Sequence, residues 1–211
     1  LPEVSLFKVG MQLYYGHGPR VVEEIGRWGG RVFLDLKLHD IPHTVSEAVR
    51  VLARLGVAML TVHASGGREM LSRAVEAARE EAALAGLPAP VLLGVTVLTS
   101  LGQGDLAELG YGGQVRDLVV RLARLALQAG CGGVVASARE ARVLRLAFGP
   151  DLVIVAAGIR PAWSGVDDQQ RVMTPREALK AGVTHLVVGR PVTQAPDPRA
   201  ALRRLLAELQ D

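Results

Sequence analysis

Seven short apolar runs recur along the chain, separated by longer stretches in which Arg, Glu and Ala alternate with apolar residues at helical spacing. The runs are Val4 to Val9, Arg31 to Leu36, Ala58 to His63, Val91 to Val97, Gly133 to Ser137, Leu152 to Ala157 and His185 to Val188. Each is bounded by Gly or Pro and is nearly continuous in apolar residues, the pattern of parallel strands covered on both faces. The amphipathic stretches between them are Gly18 to Trp28, Thr44 to Leu55, Arg68 to Ala85, Gln114 to Ala129, Ala138 to Phe148, Pro175 to Ala181 and Asp197 to Leu209. This alternation predicts repeated βα units and a parallel sheet. Its even rhythm favours an α/β fold of the (β/α)8 TIM barrel type, one domain over residues 1–211. A doubly wound open sheet is the alternative, but no GxGxxG fingerprint follows the first run. A closed barrel needs eight strands and seven are legible, so the first strand is expected upstream of Leu1.

Composition narrows what such a fold does. At 211 residues and 49% hydrophobic the chain can bury a substantial core. Its one cysteine, Cys131, excludes an intrachain disulfide or a Cys-rich zinc site, and a reducing, cytoplasmic setting is expected. No basic segment leads into an apolar stretch at the N-terminus and no uninterrupted apolar run is long enough to span a bilayer. Neither a signal peptide nor a membrane span is therefore predicted. A net charge of +3, interleaved signs as in AVEAAREEAA and only 4% aromatic residues argue against a nucleic-acid partner. The 24 basic residues are 21 Arg and three Lys, namely Lys8, Lys37 and Lys180. A chain so biased toward Arg has reason to keep Lys where a compact ammonium of adjustable pKa is needed.

The position of the charged residues is more informative than their number. In a β/α barrel, catalytic groups project from the C-terminal ends of the strands and the loops beyond them. Lys8 ends the first run, just before Gly10. Asp35 and Lys37 are two residues apart, which on a regular strand turns both to one face, here the interior. Asp40 follows on the turn before Ile41-Pro42, and His63 ends the third run. Thr96 and Thr99 close the fourth run, Arg160 follows Gly158-Ile159, and Gly189-Arg190 follows the last. Inward charges must be paired, so an ion-pair network that only plugs the barrel mouth remains one reading. Four charges of alternating sign (Lys8, Asp35, Lys37 and Asp40) at the end where active sites form favour the other, proton-transfer chemistry.

The segment HLVVGRPVTQAPDP predicts an anion site. A strand ending in Gly189 lets backbone N–H groups approach a phosphate, and Arg190 can bind it bidentately. Residues Arg160 to Pro175 form a long stretch without predicted structure, of the length that commonly serves as a lid. His39 alternates outward relative to Lys37 and is expected to pack or hydrogen-bond rather than catalyse. His17, His43 and His185 lack metal-ligand spacing, and His63 alone makes a poor site. Trp28 is expected as a helix core anchor, Trp163 as a lid residue and Cys131 as a small buried residue rather than a nucleophile. No Walker loop, nucleophile elbow or HExxH is present.

The motif VFLDLKLHDIPHTV resembles the D-x-K-x-x-D-I-P signature of the orotidine 5′-phosphate decarboxylases of the shorter bacterial type. LFKVGMQLYYGHGP, VHASGG, VTVLTS, GVVASARE, AGIRP, DDQQRVMTP and VVGRPVT follow in the order found in that family, so the likeness spans nearly the whole chain. It implies a homodimer with two sites at the interface, orotidine 5′-phosphate as substrate and no metal or organic cofactor. By position, Lys8, Asp35, Lys37 and Asp40 resemble the family's charged array, with Lys37 the proton donor and Asp40 reaching the neighbouring subunit's site. Thr44 resembles the residue that accompanies Asp40 across the interface, and Thr99 one that contacts the pyrimidine. Arg160, Gln169, Gly189 and Arg190 resemble substrate-binding positions, the last three around the phosphate.

The chain departs from the family pattern in two places. The family's first strand ends in a ribose-binding Asp that has no counterpart here, and Ala157 stands where many members have Pro. Related sugar-phosphate lyases, such as keto-gulonate phosphate decarboxylase and hexulose phosphate synthase, share D-x-K-x-x-D but use magnesium and carry E-V-G in the second strand. This chain has Lys8-Val9-Gly10, and a lysine cannot bind the metal.

Overall fold

A computed structural model of the chain describes residues 3–163 and 173–210. In chain order its elements are β1 (Leu6–Gly10), α1 (Met11–His17), α2 (Arg20–Arg27), β2 (Arg31–Leu38), α3 (Pro42–Ala53), β3 (Met59–His63), α4 (Gly67–Leu84), β4 (Val91–Val95), α5 (Gln103–Glu108), α6 (Val115–Gln128), β5 (Gly133–Ser137), α7 (Ala141–Phe148), β6 (Val153–Ala157), α8 (Pro175–Lys180), β7 (His185–Leu186), α9 (Arg190–Thr193) and α10 (Pro198–Gln210). The described residues group into two compact units, one within 1–95 and 122–133 and the other within 96–121 and 134–211.

In the first unit β1, β2, β3 and β4 pair in parallel in chain order. Parallel strands covered on both faces carry few polar residues, and Val32 to Leu36 of β2 are buried in succession. Helices α3 and α4 lie side by side. Val45, Val49 and Leu52 of α3 and Met70, Leu71 and Ala74 of α4 are buried, each large side chain contributing about 1.5–3 kcal/mol. Arg50 of α3 bonds Glu80, and Arg54 just past its end bonds the buried Glu81, each at 2.7 Å. Pro42 occupies the first turn of α3, where its missing N–H leaves no bond unmade.

The close approach of α6 to β4 depends on Gly94. A Cβ there would lie 2.5 Å from the Cβ of Ala126, closer than two carbons can pack. Gly94→Ala is therefore expected to destabilise the protein by about 1–3 kcal/mol, read as a fall in thermal midpoint. An unchanged midpoint would show that α6 can move outward without loss.

In the second unit β6 and β7 pair in parallel. Strand β7 is shorter than its apolar run predicts, although the Val187 N–H still reaches the Ala156 carbonyl at 2.9 Å. Beyond β6, Ile159 bridges Met173, and the Arg160 N–H donates to the Met173 carbonyl at 2.9 Å. The middle of the predicted lid segment, 164–172, lies outside the described residues.

Three short helices, α1, α5 and α9, have no counterpart among the predicted stretches. Each is seven residues or fewer and buries little: α1 buries no side chain, and α5 and α9 bury one each. Trp28 is a correction. It is 79% exposed just past the last turn of α2, where its backbone N–H closes the helix end, and it anchors no core. Cys131 is buried as expected. Burial pushes its thiol up to about 12, so almost no reactive thiolate exists at neutral pH.

Candidate active site

Strands β1 and β2 bring together three of the four charges that the sequence places in this region. Asp35, only 8% exposed, sits between two ammonium groups. Lys37 Nζ donates to its Oδ2 at 2.8 Å, and Lys8 Nζ lies 3.4 Å from the same oxygen. The fourth charge stands apart. Asp40 is exposed on the turn after β2 and makes no ion pair among the described residues. Its Oδ1 accepts the Ile41 N–H at 2.7 Å.

Asp35 and Lys37 meet, but not by regular strand alternation. The pairing of β2 with β3 runs Leu34 to Leu60 and then Leu38 to Val62, so three residues of β2 stand against the single residue Thr61. Within this bulge Lys37 has φ +52°, the one positive value among the described non-glycine residues. A lysine in the left-handed region is strained by about 1–3 kcal/mol and persists only where its surroundings hold it. Here both ends are held: the backbone N–H donates to Thr61 Oγ1 at 2.8 Å, and the ammonium bonds Asp35. Bulges re-aim side chains next to functional sites, and this one directs Lys37 onto Asp35.

Burial alone would push the Asp35 carboxyl up. The charge and hydrogen bond of Lys37, the charge of Lys8 and the hydroxyl of Thr61 outweigh it and hold the carboxyl below its ordinary value. The stabilisation from these contacts is therefore complete above the unfolded-state pKa and is lost as pH falls through the lowered folded value. Gly10 belongs to the same arrangement, since a Cβ there would lie 3.2 Å from Lys8 Nζ.

The sequence reading missed two features. Thr61 is fully buried and its hydroxyl donates to Asp35 Oδ1 at 3.0 Å; a lone hydroxyl within the apolar run Ala58 to His63 was the available signal. His39 stacks on His63 with ring centroids 5.2 Å apart, so His39 packs as expected, but its partner could not be read from spacing. Burial foremost, then His39 and Lys37, lower the His63 pKa against the pull of Asp35, leaving that ring neutral at pH 7.

The other candidate residues are placed as follows. Thr44 is exposed in the first turn of α3, and Thr99 is half-buried in the loop after β4. Arg160 is buried after β6, its guanidinium donating to the Ile159 carbonyl at 3.1 Å. Gly189 and Arg190 are exposed at the start of α9, and a Cβ on Gly189 would meet nothing within 4 Å. Gln169 lies outside the described residues. Trp163 carries the Arg204 guanidinium 4.8 Å above its ring. Among the described residues no group of three His, Cys, Asp or Glu is placed to hold a metal, and no helix is long and apolar enough to cross a membrane.

At the strand ends of these parallel β/α units two lysines gather around one buried aspartate, an arrangement that fits an enzyme working by fixed side-chain charge. The orotidine 5′-phosphate decarboxylase / HUMPS family model matches residues 1–205, and the chain belongs to that family. It is 54% identical to the orotidine 5′-phosphate decarboxylase of Moorella thermoacetica, over 99% of this chain and 83% of that protein. Its identity to the Heliobacterium modesticaldum enzyme of the same name is also 54%, over 98% of this chain and 86% of that one. Among solved structures, the orotidine 5′-phosphate decarboxylase of Lactobacillus acidophilus superposes with a TM-score of 0.82 at 38% identity, covering 97% of this chain and 86% of its own. The Thermotoga maritima enzyme gives 0.71 at 26% identity, covering 96% and 87%.

Proposed function

We propose that the chain is a carboxy-lyase that converts orotidine 5′-phosphate to uridine 5′-phosphate and carbon dioxide, the last step of de novo pyrimidine biosynthesis, with no metal or organic cofactor. The observation that carries this reading is the Lys37 ammonium, fixed at 2.8 Å on a buried Asp35 with Lys8 at 3.4 Å from the same oxygen. The bond from the pyrimidine ring to its carboxylate breaks, and carbon dioxide leaves. The electron pair stays on the ring carbon, which takes a proton from Lys37 Nζ. A pre-placed cation stabilises that developing charge without reorganising. Asp35 pairs with both ammonium groups and holds them in place beside the reacting ring.

The resemblance assigns the remaining roles. Lys8, Asp35, Thr44, Thr99 and Arg160 contact substrate, and Gln169, Gly189 and Arg190 surround the phosphate. Asp40 and Thr44 act across a homodimer interface. The exposure of Asp40 and its lack of an ion pair among the described residues agree with such a role. The reading includes a single (β/α)8 domain over 1–211, supported by the parallel pairing and the βα alternation. A cytoplasmic location is part of it.

The rival is a magnesium-dependent sugar-phosphate lyase of the same family. Lys8 argues against it, because a fixed positive charge already occupies the neighbourhood of Asp35 where a divalent cation would be held. An ultraviolet assay with orotidine 5′-phosphate is expected to show substrate absorbance falling at the same rate with and without EDTA. No loss of absorbance would sink the proposal, and loss abolished by EDTA would favour the rival.

A further inference from the structure

The geometry points to Thr61 as a positioning residue for the reaction, one whose hydroxyl sets the backbone and the charge partner of Lys37 together. This inference rests on the decarboxylase reading above. Three residues of β2, Asp35, Leu36 and Lys37, stand opposite Thr61 alone, so the bulge leaves the Lys37 N–H without its ladder acceptor. Thr61 Oγ1 takes that place at 2.8 Å. Its own proton goes to Asp35 Oδ1 at 3.0 Å, while Asp35 Oδ2 receives Lys37 Nζ at 2.8 Å. The result is a closed ring from the Lys37 backbone through Thr61 and Asp35 back to the Lys37 ammonium. Thr61 is 0% exposed, so water cannot substitute for either bond.

One hydroxyl therefore accepts from the strained residue and donates to the carboxylate that aims its ammonium. Removing it frees the backbone of Lys37 and one oxygen of Asp35 at once. The charged and titratable groups facing Asp35 are Lys8 from β1, Lys37 from β2 and His63 from β3, and none of them replaces a neutral donor on Oδ1. Because the Thr61 bond helps to keep Asp35 ionised, its loss moves the pH at which Asp35 protonates upward.

The test compares Thr61→Val, which keeps the shape and loses the hydroxyl, with Thr61→Ser, which keeps the hydroxyl. In Thr61→Val, kcat is expected to fall about 10- to 100-fold with KM changed by less than about threefold. The acid limb of its kcat/KM profile is expected to move to higher pH. Thr61→Ser is expected to recover most of the rate and the original acid limb. A folded Thr61→Val with wild-type kcat and profile overturns the inference, as does a Thr61→Ser as impaired as the valine variant. If the valine variant does not fold, Thr61→Cys, which fills the space but hydrogen-bonds weakly, is judged by the same criteria. Carbon-detected NMR titration of Asp35 in wild type and variant reports on the ring without turnover. A wild type that fails to decarboxylate would thus overturn the functional reading while leaving Thr61 separately testable.

Discussion

Lys37→Ala is expected to lose turnover by about 10⁴-fold or more, since it removes the proposed proton donor, which is also the cation that would face the developing carbanion. The fold should survive the change. Asp35 keeps Lys8 at 3.4 Å and the Thr61 hydroxyl at 3.0 Å, so its buried carboxylate is not left without partners. Uridine 5′-phosphate should still bind, because the proposed phosphate contacts are other residues, Gln169, Gly189 and Arg190. Calorimetry with uridine 5′-phosphate beside the ultraviolet assay separates the two effects. Near-normal decarboxylation by a folded variant would remove Lys37 from the mechanism and leave the cluster as an ion-pair plug.

The second large effect is a gain. If Asp40 serves the partner's site, Lys37→Ala and Asp40→Ala are each inactive alone, yet a mixed dimer holds one site with both residues intact. Random exchange of equal amounts makes half the dimers mixed with one of two sites working, so activity should return to about a quarter of wild type. Refolding the two variants together and assaying the mixture reads this directly. No recovery, with mixed dimers shown to form, would place the Asp40 carboxylate in its own subunit's chemistry or in none.

The legible part of the fold was the part governed by burial. Seven apolar runs correspond to seven strands among the described residues, because a strand covered on both faces must be apolar nearly throughout, and β2 buries Val32 to Leu36 without a break. What escaped was short or exposed. Helices α1, α5 and α9 bury at most one side chain each, so no apolar stripe marks them. Trp28 was misread for a related reason: a large aromatic at a helix end suggests an anchor, but Trp28 lies past the last turn of α2 and faces solvent.

At the site, sequence placed Lys8, Asp35 and Lys37 together correctly but for an incomplete reason. Two-residue spacing assumes a regular strand, whereas the contact depends on a bulge and a left-handed lysine, neither of which leaves a mark on residue identity. Thr61 could have been suspected as a hydroxyl within an apolar run. Its two hydrogen bonds, accepted from the Lys37 N–H and donated to Asp35, needed the register of β2 against β3.

The φ of +52° at Lys37 has a consequence for how this protein can change. Glycine would relieve that backbone strain, on the order of 1 kcal/mol, with Lys8 and Thr61 still partnering Asp35. It would also delete the ammonium. Selection for heat resistance and selection for activity thus pull residue 37 in opposite directions. A library screened for thermal stability alone should admit non-lysine residues at this position, whereas one screened for growth without added pyrimidines should return lysine every time.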